Sequence, residues 1–281
     1  MDLSKTVSTL SDISQSELHH YGVDGVPFPS VPELREIVEL CRTVLFPGYF
    51  GAPIVDGGVQ YHIGVSIERI HKLIRHQIMA GLAFTGYDGF REAACERAGQ
   101  FVEQLPALRD ILQTDVVAMY RNDPAAHNLG EVILCYPGMR AITNYRIAHA
   151  LELLEVPLIP RMITELAHSE TGIDIHPGAS IGHSFAIDHG TGVVIGATAI
   201  LGHNVTLYQG VTLGAKNFPQ EEDGTLVKGI ARHPILGDNV VVYANATILG
   251  RIHIGDGSTI GGNIWLTHDV PAGTKLFYKQ S

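Results

Sequence analysis

Four short polar clusters in the 281-residue sequence combine side chains that move protons or hold charge. They are Asp174-Ile175-His176-Pro177, Asp188-His189-Gly190-Thr191-Gly192, Arg232-His233-Pro234 and Asp123-Pro124-Ala125-Ala126. A carboxylate bonded to one imidazole nitrogen fixes the tautomer and leaves the other nitrogen free as a base. An imidazole with an ordinary pKa near ~6.5 suits removal of a proton from an alcohol in its transition state. Asp174 and His189, fifteen residues apart, supply the types for such a pair. Arg232 and His233 suit the grip of a carboxylate and a proton. His176, stiffened by Pro177, reads as a structural corner residue.

The elements that must position these clusters follow two different periods. After Glu170 the apolar residues recur every six positions: Ile175, Ile181, Ile187, Val193; then, after a two-residue shift, Ile195, Leu201, Leu207, Leu213. Beyond a longer interruption come Leu236, Val242, Ile248, Ile254, Ile260 and Leu266. A helix cannot satisfy a period of six, and a half-buried strand alternates with period two. A triangular coil satisfies it, each of three short strands per turn sending one aliphatic side chain to the axis. With eighteen residues to such a turn, the fifteen-residue spacing puts Asp174 and His189 on neighbouring coils, within reach across a corner. The interruption, 215–234, is a long loop leaving a rigid solenoid, the kind of segment that carries function.

Residues 31–170 read as helical. Ser30-Val31-Pro32-Glu33 is a capping box with Pro in the first turn. Apolar residues then recur at helical spacing over 65–84, 90–105, 107–121, 138–155 and 158–169, the last four bounded by Pro106, Asp123-Pro124, Pro137-Gly138 and Pro157. The formal net charge of −10 argues against nucleic acid as a partner, because phosphate binding needs a basic face. Cys41, Cys95 and Cys135 form no paired framework and read as reduced thiols. The start, Met1-Asp2-Leu3-Ser4-Lys5, lacks the pattern of a signal peptide, so a cytoplasmic protein is expected. The uncharged stretch 189–215 is too rich in glycine and too regular in its sixes to be a membrane span. His183, His203, His253 and His268 have no paired-ligand spacing, so no metal is expected.

The ordered set Asp-Ile-His-Pro, Asp-His-x-Thr-Gly, Val211-Thr212-Leu213-Gly214 and Arg232-His233-Pro234 resembles serine acetyltransferases of the hexapeptide-repeat superfamily. The similarity runs from about Asp123 to Val270 and includes Tyr145-Arg146-Ile147-Ala148-His149, like the helix before that family's repeat. The resemblance implies an α+β fold: an N-terminal α-helical domain (31–170) after an extension (1–30), then a left-handed parallel β-helix (171–270) and a tail (271–281). It implies acetyl transfer from acetyl-CoA to the L-serine hydroxyl, giving O-acetyl-L-serine on the way to cysteine. His189 is then the general base, oriented by Asp174. Asp123 and Asp188 hold the substrate ammonium, and Arg232 and His233 its carboxylate. Gly214 and Ala215 lie by the thioester, while the small Ala244 and Gly262 let the pantetheine arm pass. The family places its CoA groove between subunits of a trimer, so a homotrimer is implied, with a hexamer of paired trimers as the larger option. The ending Lys279-Gln280-Ser281 lacks the terminal Ile that docks the family's sulfhydrylase partner, which speaks against that complex.

Two alternatives stay open in the sequence. One is a hexapeptide acetyltransferase for another hydroxyl acceptor, such as homoserine or a sugar; Asp123 with Arg232 favours an amino acid, whose two charged groups need opposite partners. The other is a non-catalytic β-helix serving as a scaffold.

Overall fold

A computed structural model describes residues 3–12, 22–23, 25–53, 58–217 and 219–277. Its order is helices first, then short strands. The helices are α1 (Ser4–Ser11), α2 (Val31–Leu45), α3 (Val59–Phe84), α4 (Phe90–Asn122), α5 (Leu129–Cys135), α6 (Pro137–Leu153) and α7 (Ile159–Thr171). Ser30 caps α2, its side chain accepting from Glu33 N at 3.4 Å, but the reciprocal half of the expected box is replaced by Gln77, whose Oε1 accepts from Ser30 N at 2.7 Å and whose Nε2 donates to Glu33 at 2.7 Å. Pro106, expected to separate two helices, instead lies inside the single helix α4. It stands on the exposed face, where water can bond the carbonyl that loses its amide partner, while Phe101, Leu105, Leu108 and Leu112 anchor the buried face.

Among the described residues fourteen short strands follow, β1 (Asp174–Ile175) to β14 (Lys275–Leu276), all pairing in parallel into three sheets. The first face is β1-β4-β7-β10-β13, the second β2-β5-β8-β11, and the third β3-β6-β9-β12-β14. Up to β13 every third strand shares a face, and before β14 the second face is continued by an isolated bridge of Val270 to Ile254; this is the left-handed triangular solenoid that the period of six demands. All fourteen aliphatic residues of that period are buried, each contributing about 1.5–3 kcal/mol by leaving water. The small residues two positions before the strand centre, Ala179, Ala199, Val205, Val211, Val240 and Ala246, are buried with them. Each hexapeptide therefore sends two side chains inward.

The helices close the open end of the solenoid. Each coil donates its N–H groups to the carbonyls of the next coil, as Ser180 N does to Ala199 O at 2.9 Å and Gly182 N to Leu201 O at 2.9 Å. The first coil has no predecessor, so its own carbonyls need other donors. Helix α6 supplies them: Tyr145 Oη donates to Ala179 O (2.6 Å), Arg146 to Ile181 O and Gly182 O (both 2.6 Å), and His149 Nδ1 to Pro177 O (2.7 Å). Arg146 is in turn held by Asp115 of α4 at 3.1 and 3.2 Å, and Asp115 also accepts from Phe185 N at 2.8 Å. That ion pair is almost wholly buried, at 4% and 0% side-chain exposure. The Tyr-Arg-x-x-His pattern of α6 is thus the cap of the repeat. Among the described residues no helix is long and apolar enough to cross a membrane.

Candidate active site

The corner between the third and first faces carries Asp188 and His189. Strand β3 (Ala186–Asp188) ends there, and the register shows why this corner differs from those below it. Asp174 pairs with Val194, twenty residues on, whereas Val194 pairs with Thr212, eighteen on. The two-residue shift in the sequence is therefore an enlarged corner on the first coil, at His189-Gly190-Thr191. His189 itself is left-handed, with φ +55°. Gly190 follows at φ +90°, and a Cβ there would stand 2.5 Å from Ile173 Cδ1. A glycine is required, and the imidazole before it turns outward, 73% exposed, its Nε2 4.0 Å from Asp188 Oδ1.

Asp123, the residue that ends α4, reaches the same corner. Its Oδ1 accepts from Ala125 N at 2.8 Å, and its Oδ2 accepts from the Tyr136 hydroxyl. The Tyr136 bond, then the Ala125 amide, hold its carboxyl below the usual range, and the nearby His189 adds to this. A small cleft is lined by Asn122, Asp123, Tyr136, Asp188 and Thr206. Asn122 Nδ2 donates to Thr206 Oγ1 at 2.9 Å, tying the end of α4 to β6 (Thr206–Tyr208). The structure thus brings together Asp123, Asp188 and His189.

Arg232 and His233 stand at a different corner, between the first and second faces, where the 215–234 loop returns to β8 (Ile235–Leu236). His233 is buried, and its ring packs against Gly196: a Cβ on that glycine would fall 2.0 Å from the ring. Nδ1 accepts from Thr198 N at 3.1 Å, so the neutral ring carries its proton on Nε2; Thr198 Oγ1 lies 2.8 Å from the same Nδ1. Thr198 Oγ1 also accepts from Arg232 N (2.9 Å) and His233 N (3.2 Å). Arg251 Nη1 clamps the corner from the next coil, donating to Thr198 O (2.6 Å) and His233 O (3.0 Å). Burial, followed by the charges of Arg232, His176 and Arg251, pushes the His233 pKa down. Lys216, Arg232 and Arg251 share one cleft here.

The remaining expected residues divide between the two corners. Gly214 ends β7 (Thr212–Gly214) and Ala215 opens the loop, beside Arg232 and His233. Ala244 and Gly262 lie on consecutive coils of the His189 corner, Ala244 O accepting from Asn263 N at 2.9 Å. One face separates the corners, about 17–20 Å for six residues at the rise of a strand. Asp174 and His189 are not hydrogen-bonded to each other. Asp174 Oδ1 is instead 3.3 Å from Arg161 Nη1 of α7. Glu165, His168 and Asp174 place possible metal-donor atoms within 4.8 Å of one another, but Arg161 is already paired with both carboxylates.

The sequence reading did not single out Tyr136, Thr198, Arg161 or Arg251. Tyr136 had a local signal. Asn128-Leu129-Gly130-Glu131 is a helix start, with Asn128 Oδ1 accepting from Glu131 N at 3.0 Å, and it places a short helix before Tyr136. The other three act across coils or domains, which no local pattern records.

A left-handed coil of hexapeptides with this architecture is the hexapeptide acyltransferase fold. No family model matches the chain. The plasmid serine acetyltransferase of Synechococcus elongatus is 48% identical over 290 residues, covering 99% of this chain and 91% of that protein. The crystal structure of serine acetyltransferase 1 from Entamoeba histolytica in complex with L-cysteine superposes with a TM-score of 0.78 at 38% identity, over 92% of this chain and 91% of that one. The Neisseria gonorrhoeae serine acetyltransferase in complex with serine gives 0.58 at 26% identity, over 90% and 96%. The chain belongs to the serine acetyltransferase family.

Proposed function

We propose that this chain transfers the acetyl group of acetyl-CoA to the hydroxyl of L-serine, with His189 as general base. The observation that carries the proposal is the meeting of Asp123, Asp188 and the outward-turned His189 at one enlarged corner. Two carboxylates beside an imidazole suit a molecule that presents an ammonium and a hydroxyl together. His189 takes the hydroxyl proton as the oxygen attacks the thioester carbonyl. The carbon–sulfur bond then breaks, and the departing thiolate recovers the proton from the imidazolium. The backbone amides of Gly214 and Ala215 would meet the developing oxyanion. Asp174 would steady the imidazole once the His189 ring turns toward it. The products are O-acetyl-L-serine and free CoA.

The division of the residues between two corners favours a site built from two chains. Arg232, His233, Gly214 and Ala215 of one subunit would face Asp123, Asp188, His189, Ala244 and Gly262 of its neighbour. A three-sided coil offers three such junctions in a closed homotrimer, and pairing of trimers through the helices would give a hexamer. The test is an acceptor panel, comparing kcat/KM for L-serine, L-homoserine and a sugar by release of free thiol. Serine is expected to lead by at least about tenfold, since a missing or misplaced charged group leaves buried partners unpaired. Equal turnover of a sugar would refute the assignment.

A further inference from the structure

Tyr136 stands where α5 hands the chain to α6, and its hydroxyl donates to one oxygen of Asp123 while the Ala125 amide donates to the other. Each carboxylate oxygen therefore keeps one lone-pair direction for another donor. Asp123 lies just beyond the last turn of α4, where nothing in the helix itself would fix its side chain. We propose that Tyr136 is a positioning residue, aiming the Asp123 carboxylate at the ammonium group of the amino-acid acceptor. This rests on Asp123 as the ammonium partner in the function proposed above.

The chemistry favours a tyrosine over a cation. A lysine or arginine would hold the carboxylate equally well, but it would neutralise the charge that must attract the ammonium. A phenol donates its proton and leaves that charge intact. The Asp123 bond pushes the Tyr136 pKa far above the ordinary tyrosine range, so the donor persists at every working pH. The charged and titratable groups facing this pair are Glu131 of α5, Asp188 at the end of β3, His189 after it, and Tyr208 of β6. Glu131 and Asp188 are acids whose charge would oppose ionisation of Asp123. The Tyr136 hydroxyl counters them and keeps the ammonium partner charged to lower pH.

The test is Tyr136→Phe, which removes one half-buried hydroxyl and is expected to leave the thermal midpoint unchanged. The serine KM should rise about tenfold, the scale of one hydrogen bond to a charged group, with kcat and the acetyl-CoA KM within about twofold. In an Asp123→Asn background the same substitution should change the serine KM by less than about twofold. An unchanged serine KM, or an equal KM effect in both backgrounds, would overturn the role of Tyr136 alone. A wild-type chain that releases no thiol in response to serine would overturn the acetyltransferase reading and this role with it.

Discussion

Gly196→Ala isolates the contact on which the second corner depends. The added methyl would lie 2.0 Å from His233 Cδ2 and 2.2 Å from Nε2. Non-bonded carbons settle at about 3.5–4.0 Å, so the ring must withdraw by about 1.5–2 Å. The bonds from Thr198 to Nδ1, now 2.8 and 3.1 Å, cannot survive that displacement. Losing them should cost about 1–3 kcal/mol, and kcat/KM for serine should fall roughly 5- to 150-fold if His233 grips the substrate. Steady-state kinetics in both substrates is the assay, with Thr198→Val as a second route to the same loss without the clash. Both variants should raise the serine KM and leave the acetyl-CoA KM nearly unchanged. Wild-type serine kinetics in both would refute the reasoning, since the ring would then need neither its seat nor its partner.

Two further outcomes follow from the same architecture. Asp115→Asn leaves Arg146 as an unpaired buried cation beneath the first coil, and should lower unfolding free energy by about 3–5 kcal/mol in a denaturant titration; a loss below about 1 kcal/mol would show that the carbonyls of that coil hold the guanidinium unaided. If each site joins two chains, co-expressed His189→Ala and Arg232→Ala subunits should regain activity that neither has alone. At equal mixing roughly one junction in four pairs two intact halves, so about a quarter of wild-type activity is expected in a closed ring. Activity no higher than that of either parent would place both halves in one chain.

The solenoid was legible because its period leaves little choice. A residue every six positions must be apolar to reach the axis, and Ile175 through Leu266 are all buried. The two-residue shift before Ile195 was visible as spacing, but only the register of β1 on β4 shows that it enlarges the corner of His189. Tyr145, Arg146 and His149 were legible as a motif and opaque as a cap, because their partners are backbone carbonyls 28 to 36 residues away. The interval between Asp174 and His189 suggested contact across a corner. Within the chain Asp174 lies beside Val194 on the following face and is held by Arg161, a residue in a helix whose docking the spacing could not convey. Pro106 misled because propensity alone marks a break, while α4 is secured by its buried face.

The central claim is that His189 abstracts the serine proton. It is tested most directly by serine-dependent release of thiol from acetyl-CoA, measured for the wild-type chain and His189→Ala side by side. The ring is exposed and makes no hydrogen bond among the described residues, so its removal should leave the thermal midpoint in place. A fall in kcat of about 10²–10⁴ with the fold intact is the predicted result. Thiol release at the wild-type rate from His189→Ala would contradict the account.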